Sequence, residues 1–327
     1  MKIAIYCRYA ALSIFLLSLV QDAGAFANST YESLVEPVGW HDDAEAALRA
    51  KLDTDGTGET HLELADVYLQ QGDWKAGVDV IETAIDRWPD NQVLRRKRVD
   101  LLLVRIDKAG VFGMVGAGKA LRQACEDDLA HDPANGDAML CLARYFQQAP
   151  GIAGGSDRKA QEMVGKLRDL GGAPAHLYDA WQYREDGPAR LAALQRAAVE
   201  RPEPGLFVSL ALALSADGHY EEAMACLARG LDLYPDHRML LYQRGRISAV
   251  SGLGLKEGEA ALMRFLSGPT LFTGRDFRAS AHWRLGMVLA AGDRTEQARR
   301  AFRRALALEP GNDDFKAAMK QLDAEDA

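Results

Sequence analysis

The sequence predicts an all-α chain assembled from stacked helical hairpins, and three observations carry that expectation. The first is a recurring signature: a Leu followed by a small residue, a bulky residue four positions after the Leu, a later Ala or Gly, and a Pro five residues beyond. Leu64-Ala65, Tyr68, Ala84 and Pro89 carry it, as do Leu210-Ala211, Leu214, Gly230 and Pro235, and again Leu285-Gly286, Leu289, Ala305 and Pro310. A fixed period of about 34 residues marks a helical repeat. The second is composition: the chain is 48% hydrophobic and 26% charged, with 11 Pro among its 327 residues, which excludes a largely disordered chain. The third is the scarcity of β-branched runs at alternating spacing, the pattern that strands require.

Each unit follows from helix geometry. Residues three and four apart share a helix face, so the Leu, the small residue and the bulky residue form one stripe of the first helix. The small residue lets the partner helix approach, and the second helix supplies the Ala or Gly at the contact. Between the helices, Gly72-Asp73-Trp74 combines a residue suited to a left-handed turn with a capping Asp, and Asp217-Gly218-His219-Tyr220 and Gly292-Asp293 repeat that arrangement. The closing Pro ends the second helix. Residues 171–204 keep Leu177, Trp181, Leu194, Ala197 and Pro202 but carry Arg190 where a small residue is usual, and in the unit ending at Pro133 the place of the Ala is taken by Asp128.

These residues resemble the tetratricopeptide repeat family, over residues 58 to about 310. The resemblance implies antiparallel helix pairs wound into a right-handed superhelical solenoid, whose first helices line a concave groove and contact ligands with the side turned away from the second helices. The expected organisation is a signal peptide (1–27), an N-terminal segment with a capping helix (28–57), a solenoid of about seven helix pairs (58–312) and a C-terminal capping helix and tail (313–327). Within that family it resembles exported bacterial repeat proteins of unassigned activity, in the stretch Ala149 to Ser156 among others.

The N-terminus sets the expected compartment. Lys2 and Arg8 precede the apolar stretch Ala10 to Val20, and Ala23-Gly24-Ala25 or Ala25-Phe26-Ala27 offers small residues where a signal peptidase cuts. That pattern predicts a periplasmic or secreted protein, with a retained anchor as the alternative. Loss of residues 1–27 removes Lys2, Arg8 and Asp22, so the formal charge of −8 falls by the leader's net +1 to −9. Such an acidic chain is a poor nucleic-acid binder, and after signal removal no membrane insertion is expected. The run Arg95-Arg96-Lys97-Arg98 is read as the wet side of a helix. Cys125, Cys141 and Cys226 leave at least one thiol unpaired; a Cys125–Cys141 disulfide is open, but buried small hydrophobes are the favoured reading.

Three stretches imitate chemistry. Gly113 to Ala120 has the spacing of a phosphate-binding loop, but Ala120 stands where a hydroxyl must hold Mg²⁺ and no strand precedes it, so an extended interhelical loop is expected. Asp53 to Glu59 is rich in carboxylates, but its glycines miss the calcium-loop turn, so it reads as a flexible connector. Pro150, Gly151, Gly154, Gly155 and Ser156 lie between two helices, where Gly N–H groups before a helix capped by Ser156 suit an anion. The plainer reading of this second-choice site is a rigid loop packed over the repeat edge.

No nucleophile elbow, paired-His helix or metal spacing appears, so the expectation is a protein without catalytic residues, cofactor or metal. The groove positions of the resembled family fall on Arg96 and Asp100, Arg144 with Gln147 and Gln148, Asp179 with Gln182 and Tyr183, Tyr242 with Arg246, and Trp283. Arg, Tyr and Trp dominate interface energetics, so the mixture predicts an interaction scaffold that binds a peptide or protein segment. The alternatives are a solute-binding accessory subunit of an envelope system and, third, an enzyme with an unrecognised site. N-terminal sequencing is expected to find the mature chain beginning at Phe26 or Asn28, and an intact Met1 on envelope-bound protein would refute this.

Overall fold

The computed structural model describes residues 40–71, 73–109, 111–267 and 277–325; the leader, its exit and Gly72 lie outside the described residues. Those residues form sixteen α-helices and no strand. In chain order they are α1 (Trp40–Asp55), α2 (Gly58–Gln71), α3 (Trp74–Arg87), α4 (Gln92–Lys108), α5 (Val111–His131), α6 (Gly136–Gln148), α7 (Asp157–Leu170), α8 (Gly172–Gln182) and α9 (Gly187–Glu200). After these come α10 (Pro204–Ala216), α11 (Tyr220–Leu233), α12 (Arg238–Ser251), α13 (Leu255–Ser267), α14 (Phe277–Ala291), α15 (Thr295–Leu308) and α16 (Asp313–Glu325). The chain divides into two compact units between Arg201 and Pro202, α1–α9 in one and α10–α16 in the other. Within each unit the helices pack in pairs, α2 on α3 through α8 on α9 and α10 on α11 through α14 on α15, and first helices also touch, as α6 does α8 and α12 does α14.

The signature residues are the pairing surface. Leu64, Ala65, Tyr68 and Ala84 are buried, as are their counterparts Leu210, Ala211 and Leu214 and then Leu285, Leu289 and Ala305. In the second unit the small residues are sterically required. A Cβ on Gly245 would stand 2.1 Å from Leu262 Cγ, and one on Gly286 would stand 2.4 Å from Phe302 Cε1. Atoms cannot share that space, so α12 and α14 meet their partners only because no side chain intervenes. The turns differ in detail from expectation. Asp73 does cap α3, accepting from Ala76 N at 3.0 Å, and Gly218 takes the left-handed φ of 80°. At the last turn the left-handed residue is Asp293, at φ 58°, not Gly292. Neither α11 nor α15 has a side-chain N-cap: Asp217 ends the preceding helix, and Arg294 occupies the cap after Asp293.

Four further expectations are corrected. Helix α5 absorbs Gly113 to Ala120, so no loop lies there. Past its first turn a continuous helix spends its N–H groups on its own carbonyls, so from Val115 on the backbone cannot wrap a phosphate. Helix α1 runs through Asp55, so the carboxylate-rich connector shrinks to Gly56-Thr57. Cys125 and Cys141 are joined by a disulfide between α5 and α6, with Cα atoms 6.4 Å apart, while Cys226 is a free thiol.

The fourth concerns the basic run, which is not a wet face. Arg95, Lys97 and Arg98 are buried, and only Arg96 is partly open. Arg95 Nη1 and Arg98 Nη2 donate to Asp128 Oδ1 at 2.7 and 2.6 Å, and Lys97 Nζ donates to Asp66 on α2. Arg95 also donates from Nε to Pro89 O at 2.7 Å, and Arg98 from Nη2 to Ala124 O at 2.9 Å. The Asp that displaces the usual Ala in this unit is therefore the acceptor for the run that precedes it. Burying a guanidinium is costly without a charged partner. Three helices, α2, α4 and α5, are tied in consequence. Among the described residues no helix is long and apolar enough to cross a membrane.

Removing the shared acceptor leaves two buried cations unmatched, which typically costs about 3–5 kcal/mol. Asp128→Ala should shift the denaturation midpoint accordingly, whereas Glu82→Ala on the exposed side of α3 should change stability by less than about 0.5 kcal/mol. Equal midpoints for the two variants would overturn the ion-pair reading.

Candidate partner-binding face

The first helices α6 and α8 bring together the densest set of expected groove residues. Gln147 Oε1 accepts from Tyr178 Oη at 2.8 Å and from Gln182 Nε2 at 2.9 Å, and Gln182 Nε2 also reaches Tyr178 Oη at 2.5 Å. The spacing explains the meeting, because Tyr178 and Gln182 are four apart on one helix face. Tyr183, at the end of α8, is 46% exposed. Beside this network Gln148 Oε1 and Trp181 Nε1 are buried without a hydrogen-bond partner. Asp179 is partly buried, and its carbonyl accepts from Tyr183 N at 2.9 Å.

Two expected groove residues are placed differently. Arg144 is only 8% exposed, its guanidinium 5.3 Å over the Trp181 ring. Tyr242 is 6% exposed, its ring centroid 5.4 Å from that of Phe265 and 4.9 Å from that of Phe277. Both correct the expectation of open ligand-facing side chains. Large planar groups at these positions fill the space between neighbouring pairs, since aromatic rings gain most from mutual contact and area burial. Burial also pushes the Tyr242 hydroxyl up from its ordinary range, against the pull of Arg284 and the neighbouring Ser280.

The remaining groove residues are partly buried. Arg246 donates from Nη1 to Gln243 Oε1 at 3.3 Å, and Trp283 packs on Phe315 with ring centroids 5.3 Å apart. Arg96 and Asp100 lie one turn apart on α4. Desolvation pushes the Asp100 carboxyl up to about 8, although Lys97 and Arg96 pull the other way. Two neighbours were missed in the sequence, Tyr178 and Arg284. Tyr178 was discoverable from its four-residue spacing to Gln182; Arg284 stands next to the selected Trp283, and only the packing of α12 on α14 brings it to Arg246.

The loop after α6 is built differently from an anion cradle. Gly154 N and Gly155 N donate to Gly151 O and Pro150 O at 2.9 and 3.2 Å, and Ser156 N donates to Phe146 O at 2.8 Å. The amides of Gly154, Gly155 and Ser156 are thus engaged within the chain. Gly154 is left-handed at φ 93°, and a Cβ on Gly155 would fall 1.6 Å from Ala149 O, so this backbone path is open to glycine alone. Tyr145 Oη clamps the turn from below by donating to Ala153 O at 2.5 Å. Ile152 in the loop's short 3₁₀ turn, Gly151–Ala153, is 85% exposed. Among the described residues, no group of three or more His, Cys, Asp or Glu is placed to hold a metal ion.

The paired helices and their small-residue contacts define a helical repeat array. Family models of the tetratricopeptide repeat match residues 39–92, 204–247 and 279–312, and the chain is a tetratricopeptide repeat protein. As such it is of the protein–protein interaction scaffold class, whose members are generally non-enzymatic. No curated protein matches the sequence. Among solved structures it is similar to MamA, residues 41 to the end, from Desulfovibrio magneticus RS-1, at 18% identity over 47% of this chain and 85% of that one, with a TM-score of 0.41. It is also similar to PilW, a widely conserved type IV pilus biogenesis factor, at 16% identity over 64% and 94% of the two chains, TM-score 0.45. YrrB, a TPR protein with an unusual peptide-binding site, is similar at 18% identity over 61% and 99%, TM-score 0.46.

The raised Asp100 carboxyl has a pH consequence. Its folded state keeps a proton that the unfolded carboxyl loses near its ordinary pKa of about 4, so its contribution is favourable below about 4 and is lost as pH rises through about 8. Asp100→Asn should therefore lose less thermal stability than the unaltered chain between pH 5 and pH 8, each to be measured by melting. Parallel pH profiles would refute the assignment.

Proposed function

We propose that the protein is an exported scaffold that holds a peptide or protein segment along the inner side of its first helices. The observation that carries this reading is the polar and aromatic strip on α6 and α8, where Gln147, Tyr178 and Gln182 form one network and Tyr183 stands half-exposed beside it. Tyr combines large area with a polar end and few rotatable bonds, which makes it an efficient anchor. Orphaned buried polar atoms on Gln148 and Trp181 add a reason for a polar ligand at the same place, because such groups are costly until matched.

Export rests on two independent supports. The charged start, short apolar core and small-residue exit of residues 1–27 have the form of a secretory leader. The Cys125–Cys141 disulfide joins two thiols that a reducing cytosol would keep apart. The organisation proposed with it is a leader over 1–27, a capping segment over 28–57, the repeat array over 58–312 and a closing helix and tail over 313–327.

The test is a pull-down from envelope extracts with the chain lacking residues 1–27, followed by affinity measurements on the recovered partner. Tyr183→Ala should keep the fold and weaken binding by about 2 kcal/mol, roughly thirtyfold. If Tyr183→Ala and Trp283→Ala both bind normally while disruption of Pro150 to Ser156 abolishes binding, the inner face is not the site and the loop is.

A further inference from the structure

Two second helices, α3 and α15, carry exposed charge that the chain itself leaves unmatched, and they carry it with opposite sign. On α15, Arg300, Arg303 and Arg304 are exposed, and among the described residues none of them is in an ion pair. Three and four residues apart, they occupy one helix face. On α3, Asp79, Glu82 and Asp86 are exposed and equally without an ion pair, again on one face. Like charges at such spacing repel, so each face is mildly unfavourable until it meets the opposite sign. The buried Ala84 and Ala305 set the two helices in repeat register. Asp79 then falls on the position of Arg300, and Glu82 on that of Arg303, while one turn earlier the signs are exchanged, with Lys75 on the position of Glu296. Second helices between them lack this charge: the corresponding places hold Ala192 and Gln195 on α9, and Ala225 and Ala228 on α11.

We propose that α3 of one copy of this chain docks against α15 of a second copy, the two helices lying side by side and running in the same direction. The occupant is a second copy because the complement of each face stands on the same molecule, matched position by position: Lys75 with Glu296, Asp79 with Arg300 and Glu82 with Arg303. Direction follows from the same pairs. Reversing one helix would set Lys75 against Arg303 and Glu82 against Glu296, and both contacts repel. Glu296 keeps its own Arg299 beside it, so the strongest intermolecular pairs are those of Arg300 and Arg303. The two faces are different surfaces, so the contact is heterologous, and each further copy either extends a row or closes a ring. Exposed ion pairs contribute little individually and salt screens them, so the association is weak and salt-sensitive. The formal charge of −8 on every copy adds repulsion at long range, which leaves the local match of faces to decide the contact. The inner face of the first helices takes no part in it, so this contact stands or falls apart from the scaffold reading.

The test is the mass of the full chain in solution, followed by sedimentation from about 1 µM to about 1 mM. The average mass should rise with concentration at about 0.1 M salt, and most of that rise should disappear at about 0.5 M. Reversing one face, by Asp79→Arg with Glu82→Arg or by Arg300→Glu with Arg303→Glu, should leave a monomer throughout. An equimolar mixture of these two variants should associate again, since each supplies the face the other has lost. A chain carrying all four substitutions should associate as the unaltered chain does. Glu221→Arg with Glu222→Arg, on the exposed side of α11, should leave association unchanged. Every substituted residue is exposed and outside an ion pair or, for Glu222, in one with an exposed histidine, so melting points should stay close to that of the unaltered chain. A mass that stays monomeric over the whole range, undiminished association in either one-face variant, or a monomeric four-substitution chain would each overturn the proposal. So would a monomer that binds vesicles of anionic lipid through Arg300 and Arg303, which would assign the basic face to a membrane surface.

Discussion

The shared acceptance of Arg95 and Arg98 by Asp128 is the constraint around which the first unit is arranged. A small residue at that place in a repeat lets two helices touch; a carboxylate there must instead be answered by cations that are themselves withdrawn from water. Arg95, Lys97 and Arg98 answer from one helix in two directions, Arg95 and Arg98 toward α5 and Lys97 toward Asp66 on α2. Matched charges of this kind specify position more sharply than apolar contact, because a displaced apolar side chain loses area gradually whereas a displaced ion pair leaves a charge stranded. The order of α2, α4 and α5 is thereby fixed by chemistry as well as by shape.

The second unit reaches the same end by the opposite route. Gly245 and Gly286 withdraw their side chains altogether, and Leu262 and Phe302 occupy the space. The two solutions differ in what they demand of their neighbours. A glycine contact tolerates any well-shaped apolar partner, while Asp128 tolerates only a cation. The first unit thus adds a seam of direction-dependent charge to its small-residue contacts, whereas Gly245 and Gly286 bring the helices of the second into close approach.

The regular repeats were legible because their signature is a packing requirement written at fixed spacing. Leu64, Ala65 and Ala84 and their counterparts are buried for the reason the pattern suggested. The expectation of a wet face for the basic run conflicts with the geometry of a helix. At 3.6 residues per turn, four consecutive side chains point about 100° apart and cover most of the circumference, so Arg95 to Arg98 could not all have faced water on a packed helix. Asp128, already conspicuous as a departure from the repeat, was the available partner. The inner face was less legible. Register places the expected residues on first helices, but whether Arg144 and Tyr242 stand open or closed depends on Trp181, Phe265 and Phe277, residues from other helices whose approach no local pattern encodes. The disulfide was equally out of reach, since two cysteines 16 residues apart acquire meaning only when α5 and α6 are laid side by side.

That covalent link changes how the array would carry load. In a row of repeats each pair leans on its neighbours, so tension applied at the ends is resisted one interface at a time and the weakest seam parts first. Cys125 and Cys141 bridge the seam between the pair α4–α5 and the pair α6–α7. The link closes the 16-residue interval into a loop, so tension along the chain passes through the two sulfurs and does not extend it. The stapled seam adjoins the buried charges on one side and the helix bearing Arg144 and Gln147 on the other. A pull from a partner seated on α6 would therefore be passed through sulfur to α5, sparing the noncovalent packing between them.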